Sequence, residues 1–285
     1  MSVDNYDASG TLLSDSWQSA NGTHGSDSYT GGTLTQSTWT NPDGSYGSTA
    51  YNTDGSYTTS AVTATGDTSV DNYDASGALA SDFWIDANGS SGTDTYVNGV
   101  ISSDTWADAS GVTGSDSYNA SGALIYSKWT NTDGSWGSNT YDGNGTLTMT
   151  TATDPTGAET IQTPAGTDTI TLGPVSTTLT NSGATDTVTL GTTVAPDQLW
   201  FTQNGTDLVV SVLGSTENLT VKDWFNGLTN QVSAFVAGNG QTLAGSNVEQ
   251  LVQAMAAFSP PTSSQIAYTT AEATNLDPVI AATWQ

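Results

Sequence analysis

The 285-residue chain has no cysteine and no arginine, only two lysines (Lys128 and Lys222) and a single histidine, His24. Without cysteine there is no disulfide framework, thiolate nucleophile or zinc–thiolate site. A lone histidine argues against a catalytic triad or a transition-metal centre. Against so few bases stand 28 acidic residues, a formal charge of −26. Nucleic acid and anionic membranes are poor partners for such a chain, because counterion release needs clustered Lys and Arg. No run of about 18 apolar residues occurs, so no transmembrane helix is expected. The opening "MSVDNYDASG" lacks the basic and apolar regions of a cleavable signal peptide. Self-repulsion at this charge is relieved where salt or divalent cations screen it, which suits the outside of a cell. Hydrophobic residues make up 35% of the chain, which predicts thin cores rather than one large one.

What is present is a repeat. Tyrosines stand at 6, 29, 51, 73, 96, 118 and 141, at spacings of 22 or 23. Midway lie Trp17, Trp39, Val62, Trp84, Trp106 and Trp129, and five or six residues after each tyrosine come Leu12, Leu34, Tyr57, Leu79, Ile101, Leu124 and Leu147. A longer unit of 67 residues overlies them, from Tyr6 to Tyr73. Each half-unit is a stretch rich in Thr, Tyr, Trp and Ser that ends in "ASG", "ANG", "NPDG", "NTDG" or "GNG". These turn residues supply or tolerate positive φ, and the stretches between them read as half-buried strands. An all-β fold with two strands per repeat is predicted over residues 1–158.

Two architectures satisfy the period. A parallel β-solenoid makes each 22–23-residue unit one coil and stacks like on like at about 4.8 Å, tyrosine over tyrosine and tryptophan over tryptophan. An antiparallel hairpin sheet alternates Tyr strands with Trp strands. The motif "YDASGAL" resembles the YD repeats of Rhs and toxin-shell proteins, which implies hairpin sheets. The solenoid is favoured by the stretch C-terminal to the repeats, where "DTITL" at 168 and "DTVTL" at 186 recur at 18 residues, with Ile170 over Val188 and Leu172 over Leu190.

An 18-residue coil of two halves resembles the β-roll of RTX, or haemolysin-type calcium-binding, proteins. "APDQLWFTQNGTDLVVSVLGSTENLTVKDWFNG" at 195–227 resembles the segment that comes after that roll, and Val248, Leu251, Val252, Met255 and Ala256 at helical spacing resemble the family's closing helix. The resemblance implies degenerate roll coils at 159–194, a capping domain at 195–258, and a polar tail at 259–285 acting as an uncleaved C-terminal signal for type I secretion. The alternative for the tail is a disordered segment with no role. The family's GGxGxD turn binds calcium, and its counterparts here, "TPAGTD" and "NSGATD", keep Asp168 and Asp186 but few of the glycines.

A second candidate cation site lies in the repeats. Aspartates precede the tyrosines by two at Asp4, Asp27, Asp71, Asp94 and Asp116, and precede the tryptophans at Asp15, Asp82 and Asp104. Stacked at about 5 Å, like charges repel by about 0.8 kcal/mol per pair even in water, a cost that bound calcium or raised pKa values would relieve. The plainer reading is a solvated acidic face. His24 occupies a variable slot shared with Tyr46, Ser91, Thr113 and Trp136, and the carboxylates repeat as lattice positions do, so no catalytic residue is expected and the chain reads as no enzyme. The N-terminus begins within a repeat, which predicts an assembly edge at Tyr6, Leu12 and Trp17. The ladder tyrosines (Tyr29, Tyr51, Tyr73, Tyr96, Tyr118, Tyr141) and tryptophans (Trp39, Trp84, Trp106, Trp129) would then be the core. The function expected is an extracellular structural protein that self-associates into a fibre, surface layer or biofilm matrix. The alternative is an adhesin that binds polysaccharide on exposed tryptophans.

Overall fold

The computed structural model describes residues 1–164, 167–172, 175–182 and 185–285. They fall into two compact units, Met1–Thr132 and Asp133–Gln285.

The first unit is one antiparallel meander. Its strands are β1 (Ser2–Tyr6), β2 (Leu12–Gln18), β3 (His24–Thr30), β4 (Thr33–Thr40), β5 (Tyr46–Tyr51), β6 (Tyr57–Val62), β7 (Thr68–Tyr73), β8 (Leu79–Ile85), β9 (Ser91–Val97), β10 (Val100–Ala107), β11 (Thr113–Tyr118) and β12 (Leu124–Thr130). Each pairs with the next in sequence. The all-β class therefore stands, but the solenoid does not: this half is the hairpin sheet. The physical reason lies in the turns. In "DANG" the Gly89 N–H returns to the Asp86 carbonyl at 2.9 Å and the Asp86 N–H to that of Ser90 at 2.8 Å, with Gly89 at φ +94°. That closes the chain back on its own preceding strand, whereas a coil needs a turn that leads away from it.

In the second unit, β13 (Trp136–Tyr141) and β14 (Leu147–Thr153) form a last hairpin of the repeat kind, and β15 (Glu159–Thr163) adds antiparallel to β14. The chain then winds. β16 (Thr169–Thr171), β17 (Thr177–Asn181) and β18 (Thr187–Thr189) alternate between two sheets, β17 parallel on β15 and β18 parallel on β16. Ile161 faces Leu179 and Ile170 faces Val188, as the 18-residue period requires. Next come β19 (Leu199–Asn204), β20 (Asp207–Val212), β21 (Asn218–Val221), β22 (Ala234–Val236) and β23 (Thr242–Ala244). β21 lies parallel on β17 and β22 parallel on β18, so residues expected only to cap the roll also supply its third rung. The rows Ile161–Leu179–Val221 and Ile170–Val188–Phe235 belong to one buried core.

Two helices complete that core. α1 (Val248–Met255) buries Val248, Leu251, Val252 and Met255, as its spacing predicted, and leaves Ala256 exposed. α2 (Thr270–Thr283) lies in the tail. Thr269 and Glu272 form a capping box, with Glu272 Oε2 accepting from the Thr269 N–H at 2.7 Å. Leu276, Ile280 and Trp284 enter the core, and Gln285 exchanges backbone hydrogen bonds with Thr242. The tail is thus folded, and Ile280, Thr283 and Trp284 of its apolar "VIAATW" are buried. Among the described residues no helix is long and apolar enough to cross a membrane.

Candidate functional site: a banded aromatic and aspartate face

Successive residues of a strand point to opposite faces, so Trp84 and Asp82 on β8 share a side, as do Gly92, Asp94 and Tyr96 on β9. The registers align these across the first unit into three bands. One band alternates tryptophan with glycine: Trp17 opposite Gly25, Gly25 opposite Trp39, Trp39 opposite Gly47, Trp84 opposite Gly92, Gly92 opposite Trp106, Trp106 opposite Gly114, and Gly114 opposite Trp129. The indoles of Trp17, Trp39, Trp84 and Trp106 each lean onto the glycine of the following strand. A Cβ on Gly92 would lie 2.6 Å from Trp84 Cζ2, and one on Gly114 2.2 Å from Trp106 Cζ2. Aromatic–glycine pairs of this kind cover backbone that glycine would otherwise expose.

The second band is the aspartates. Asp4, Asp15 and Asp27 are directly opposed on β1–β3, then Ser37, Thr49 and Thr59 interrupt, and Asp71, Asp82, Asp94, Asp104 and Asp116 run unbroken across β7–β11. The two separate aspartate series of the sequence are therefore one interleaved row. Inner oxygens of Asp15, Asp27, Asp82, Asp104 and Asp116 (Oδ1 in each) are buried without a hydrogen-bond partner. Burial, then the charge of Asp71, pushes the Asp82 carboxyl up to about 6. Burial with the charge of Asp104 raises Asp94, and burial raises Asp104 against the opposing pull of the Tyr118 hydroxyl, which donates to its Oδ2 at 2.9 Å.

The third band pairs tyrosine with leucine. A β-bulge at most of these sites drops one residue from register, so Leu12 opposes Tyr6, Leu34 opposes Tyr29, Leu79 opposes Tyr73, Ile101 opposes Tyr96 and Leu124 opposes Tyr118. Tyr141 and Leu147 repeat the device in the second unit. The expected ladder of tyrosine on tyrosine is corrected accordingly: Tyr29, Tyr51, Tyr73, Tyr96 and Tyr118 sit on alternate strands, about 9.6 Å apart rather than stacked. Among the described residues of the first unit, tyrosine rings meet where Tyr57 takes a leucine place, at 4.5 Å from Tyr73 and 6.0 Å from Tyr51. Trp39, Trp84, Trp106 and Trp129 likewise alternate with glycines instead of stacking. Ala61, not Val62, holds the missing tryptophan's place, opposite Gly47 and Ser69.

The expected edge is also redistributed. Tyr6 lies on β1 and is 54% exposed, but Leu12 and Trp17 belong to β2, which is paired on both sides. Neither ladder is a buried core. Among the described residues of the first unit only Gly92 is fully buried, and every aromatic of the bands is at least partly open to solvent.

A second set of aspartates behaves oppositely. In the turns, Asp74 Oδ1 accepts from the N–H groups of Ser76 and Ala78 at 2.8 and 3.0 Å, and Asp108 does the same with Ser110 and Val112. Side-chain and backbone donors hold Asp7, Asp43, Asp54, Asp67, Asp74 and Asp108 below the usual carboxylate range. Sequence reasoning did not separate these two populations.

In the second unit, Asp168 and Asp186 stand one rung apart. Asp186 is fully buried, its Oδ1 accepts from the Asp168 N–H at 3.0 Å, and the Oδ2 atoms of both residues are buried without a partner. Burial and the charge of Asp186 raise the Asp168 carboxyl. Parts of the turns tied to the calcium reading, residues 165–166 and 183–184, lie outside the described residues. Among the described residues no three acidic or histidine side chains gather as a metal-ligand group, which applies also to Asp71, Asp94 and Asp116.

Sequence reasoning missed the glycines. Gly25, Gly47, Gly92 and Gly114 recur four residues before a tyrosine, as the small partners of the tryptophans. That pairing of large with small was the available signal that half-units face each other.

No family model matches the chain. Among solved structures it is similar to TcdB2-TccC3, at 14% identity and a TM-score of 0.18 over 54% of this chain and 10% of that one. It is also similar to TcdB2-TccC3-Cdc42, at 15% identity and a TM-score of 0.17 over 57% and 11%. This chain spans about a tenth of the length of either, and likeness at that level establishes neither family nor function.

Proposed function

We propose that the protein is an extracellular structural protein that self-associates through its N-terminal repeats into a fibre, surface layer or biofilm matrix. The observation that supports this reading is the banded face of the first unit, whose apolar side chains are all short of full burial. Such a sheet gains about 25 cal/mol for each Å² of apolar surface it covers. A second copy offers the same bands at the same spacing. Charge opposes the contact, since two such faces bring aspartate rows together, so cations or protons at the rows favour assembly.

Export by a type I system and calcium at Asp168 and Asp186 belong to the same proposal and rest on the resemblance of the second unit's sequence to RTX proteins. The two orphaned buried oxygens of that pair suit a cation. With the tail folded into α2, its address would be read on the unfolded chain.

The test is light scattering and negative-stain electron microscopy over a concentration series, with and without calcium. Filaments or sheets, with tryptophan emission shifting to the blue as they form, are the expected result. Monodisperse monomer at every concentration and calcium level ends the proposal.

A further inference from the structure

The row of aspartates and the band of tryptophans meet in a groove of about 280 Å³ between Trp84 and Trp106. The two indoles stand on β8 and β10, and Gly92 on the strand between them lies beneath the Trp84 ring. The carboxylates of Asp94 and Asp104 line one end. Asp86 and Asp108, from the turns after β8 and β10, line the groove as well. Asp104 is held in place by Tyr118, and Asp108 is fixed by the Ser110 and Val112 N–H groups. Two indoles with carboxylates around them suit a ligand that combines a flat apolar ring face with a positive charge. The indoles attract both, by stacking and by cation–π contact, and the carboxylates complement the charge with hydrogen bonds of the stronger, ionic kind. The arrangement also repeats: Trp106, Gly114 and Trp129 continue it two strands on, about 9.6 Å away, with Asp104 and Asp116 in the row beside them. A periodic site of this kind suits a periodic ligand.

We infer that the face of β8–β12 binds an amino-sugar polymer bearing free ammonium groups, its rings against Trp84, Trp106 and Trp129 and its amines at Asp94 and Asp104. The groove is complete within one copy, so this does not depend on self-assembly. A neutral glycan satisfies the indoles but leaves the carboxylates without a counter-charge, and a basic peptide satisfies the carboxylates but offers no ring face.

The test is a titration of the full chain, monitored by tryptophan fluorescence and calorimetry, with a glucosamine hexamer, its fully N-acetylated counterpart and hexalysine. Saturable binding of the glucosamine hexamer is expected, at least about tenfold tighter than either of the others. Asp94→Asn/Asp104→Asn should lower that affinity at least about tenfold while the melting temperature holds or rises, a combination a structural role would not produce. Asp4→Asn/Asp15→Asn, which removes the same charge from the same face on β1 and β2, should leave the affinity within about twofold. The inference is overturned if no saturable binding occurs, if the acetylated hexamer or hexalysine binds equally well, or if the two double variants behave alike. Light scattering on the same samples reports assembly separately, so a failure of either idea is visible on its own.

Discussion

The two units of this chain hold β-structure together in different ways. In Asp133–Gln285 the apolar side chains close on one another: Leu179, Val188, Val221 and Phe235 are essentially inaccessible, in a core that two helices also enter. In Met1–Thr132 none of the apolar side chains reaches that state, yet the meander is regular from β1 to β12. Its order comes from continuous backbone pairing, from indoles laid over glycines, from bulges that bring leucine beside tyrosine, and from turns locked by aspartate. A thin sheet can thus be specified by local rules repeated many times, where a core needs a few side chains placed once. The consequence is functional. A core hides its apolar surface, whereas the banded face keeps its surface available.

The sharpest way to break the comparison is to remove one leucine from each unit. Leu179→Ala, at the centre of the parallel rows, should cost roughly 2–5 kcal/mol, because transfer and cavity terms add. Leu79→Ala, half-exposed beside Tyr73, should cost only about 1 kcal/mol. Urea midpoints give the sizes, and hydrogen exchange by peptide gives the location: Leu179→Ala should expose β15–β18 and leave β8–β11 unchanged. Equal costs would mean that the two units are stabilised alike. Next in size is Gly92→Val. Its side chain meets Trp84 inside contact distance, so it should cost about 1–3 kcal/mol and shift tryptophan emission to the red, an effect out of proportion to its exposed surroundings.

Those two sites also show what could be read beforehand. The 18-residue period of Ile170 and Val188 was legible, because in a parallel coil sequence spacing and spatial neighbour are the same thing. The 22–23-residue period was legible as two strands but not as a direction. A coil and a meander both return tyrosine to tyrosine every two half-units, and periodicity alone does not distinguish them. The distinction lay in complementarity between half-units, Trp84 with Gly92 and Tyr73 with Leu79, which a search for like on like passes over. For the same reason Asp82 and Asp104 stood in a different series from Asp71, Asp94 and Asp116 until the register interleaved them. The tail's α2 was hidden by its polar surroundings: only Leu276, Ile280 and Trp284 mark it, and its capping box "TAEA" after Thr269 was the clue.

The smallest effects separate the two aspartate populations of the first unit. Asp82→Asn removes the repulsion with two opposed neighbours, Asp71 and Asp94, at about 5 Å and should stabilise the sheet by roughly 1–2 kcal/mol near neutral pH, an unusual sign for a substitution at a half-buried position. The same carboxyl makes stability depend on pH. Its folded value, about 6, lies above the unfolded 3.8, so the folded sheet binds the proton more tightly, and the resulting stability is fully present below about pH 4 and lost as pH rises through about 6. Asp94 and Asp104 are raised as well and act in the same direction. The turn aspartates are lowered, so their contribution is present above the unfolded value and lost as pH falls beneath it. Together they give a maximum on the acid side of neutrality, where Asp82 is protonated and the turns are still ionised. Melting temperature measured from about pH 7.5 down to about pH 3 should rise and then fall. Asp82→Asn should flatten the rising limb while leaving the falling limb in place, and Asp74→Ala should do the reverse. A monotonic profile, or one that neither variant alters, would show that the row and the turns do not titrate as separate groups.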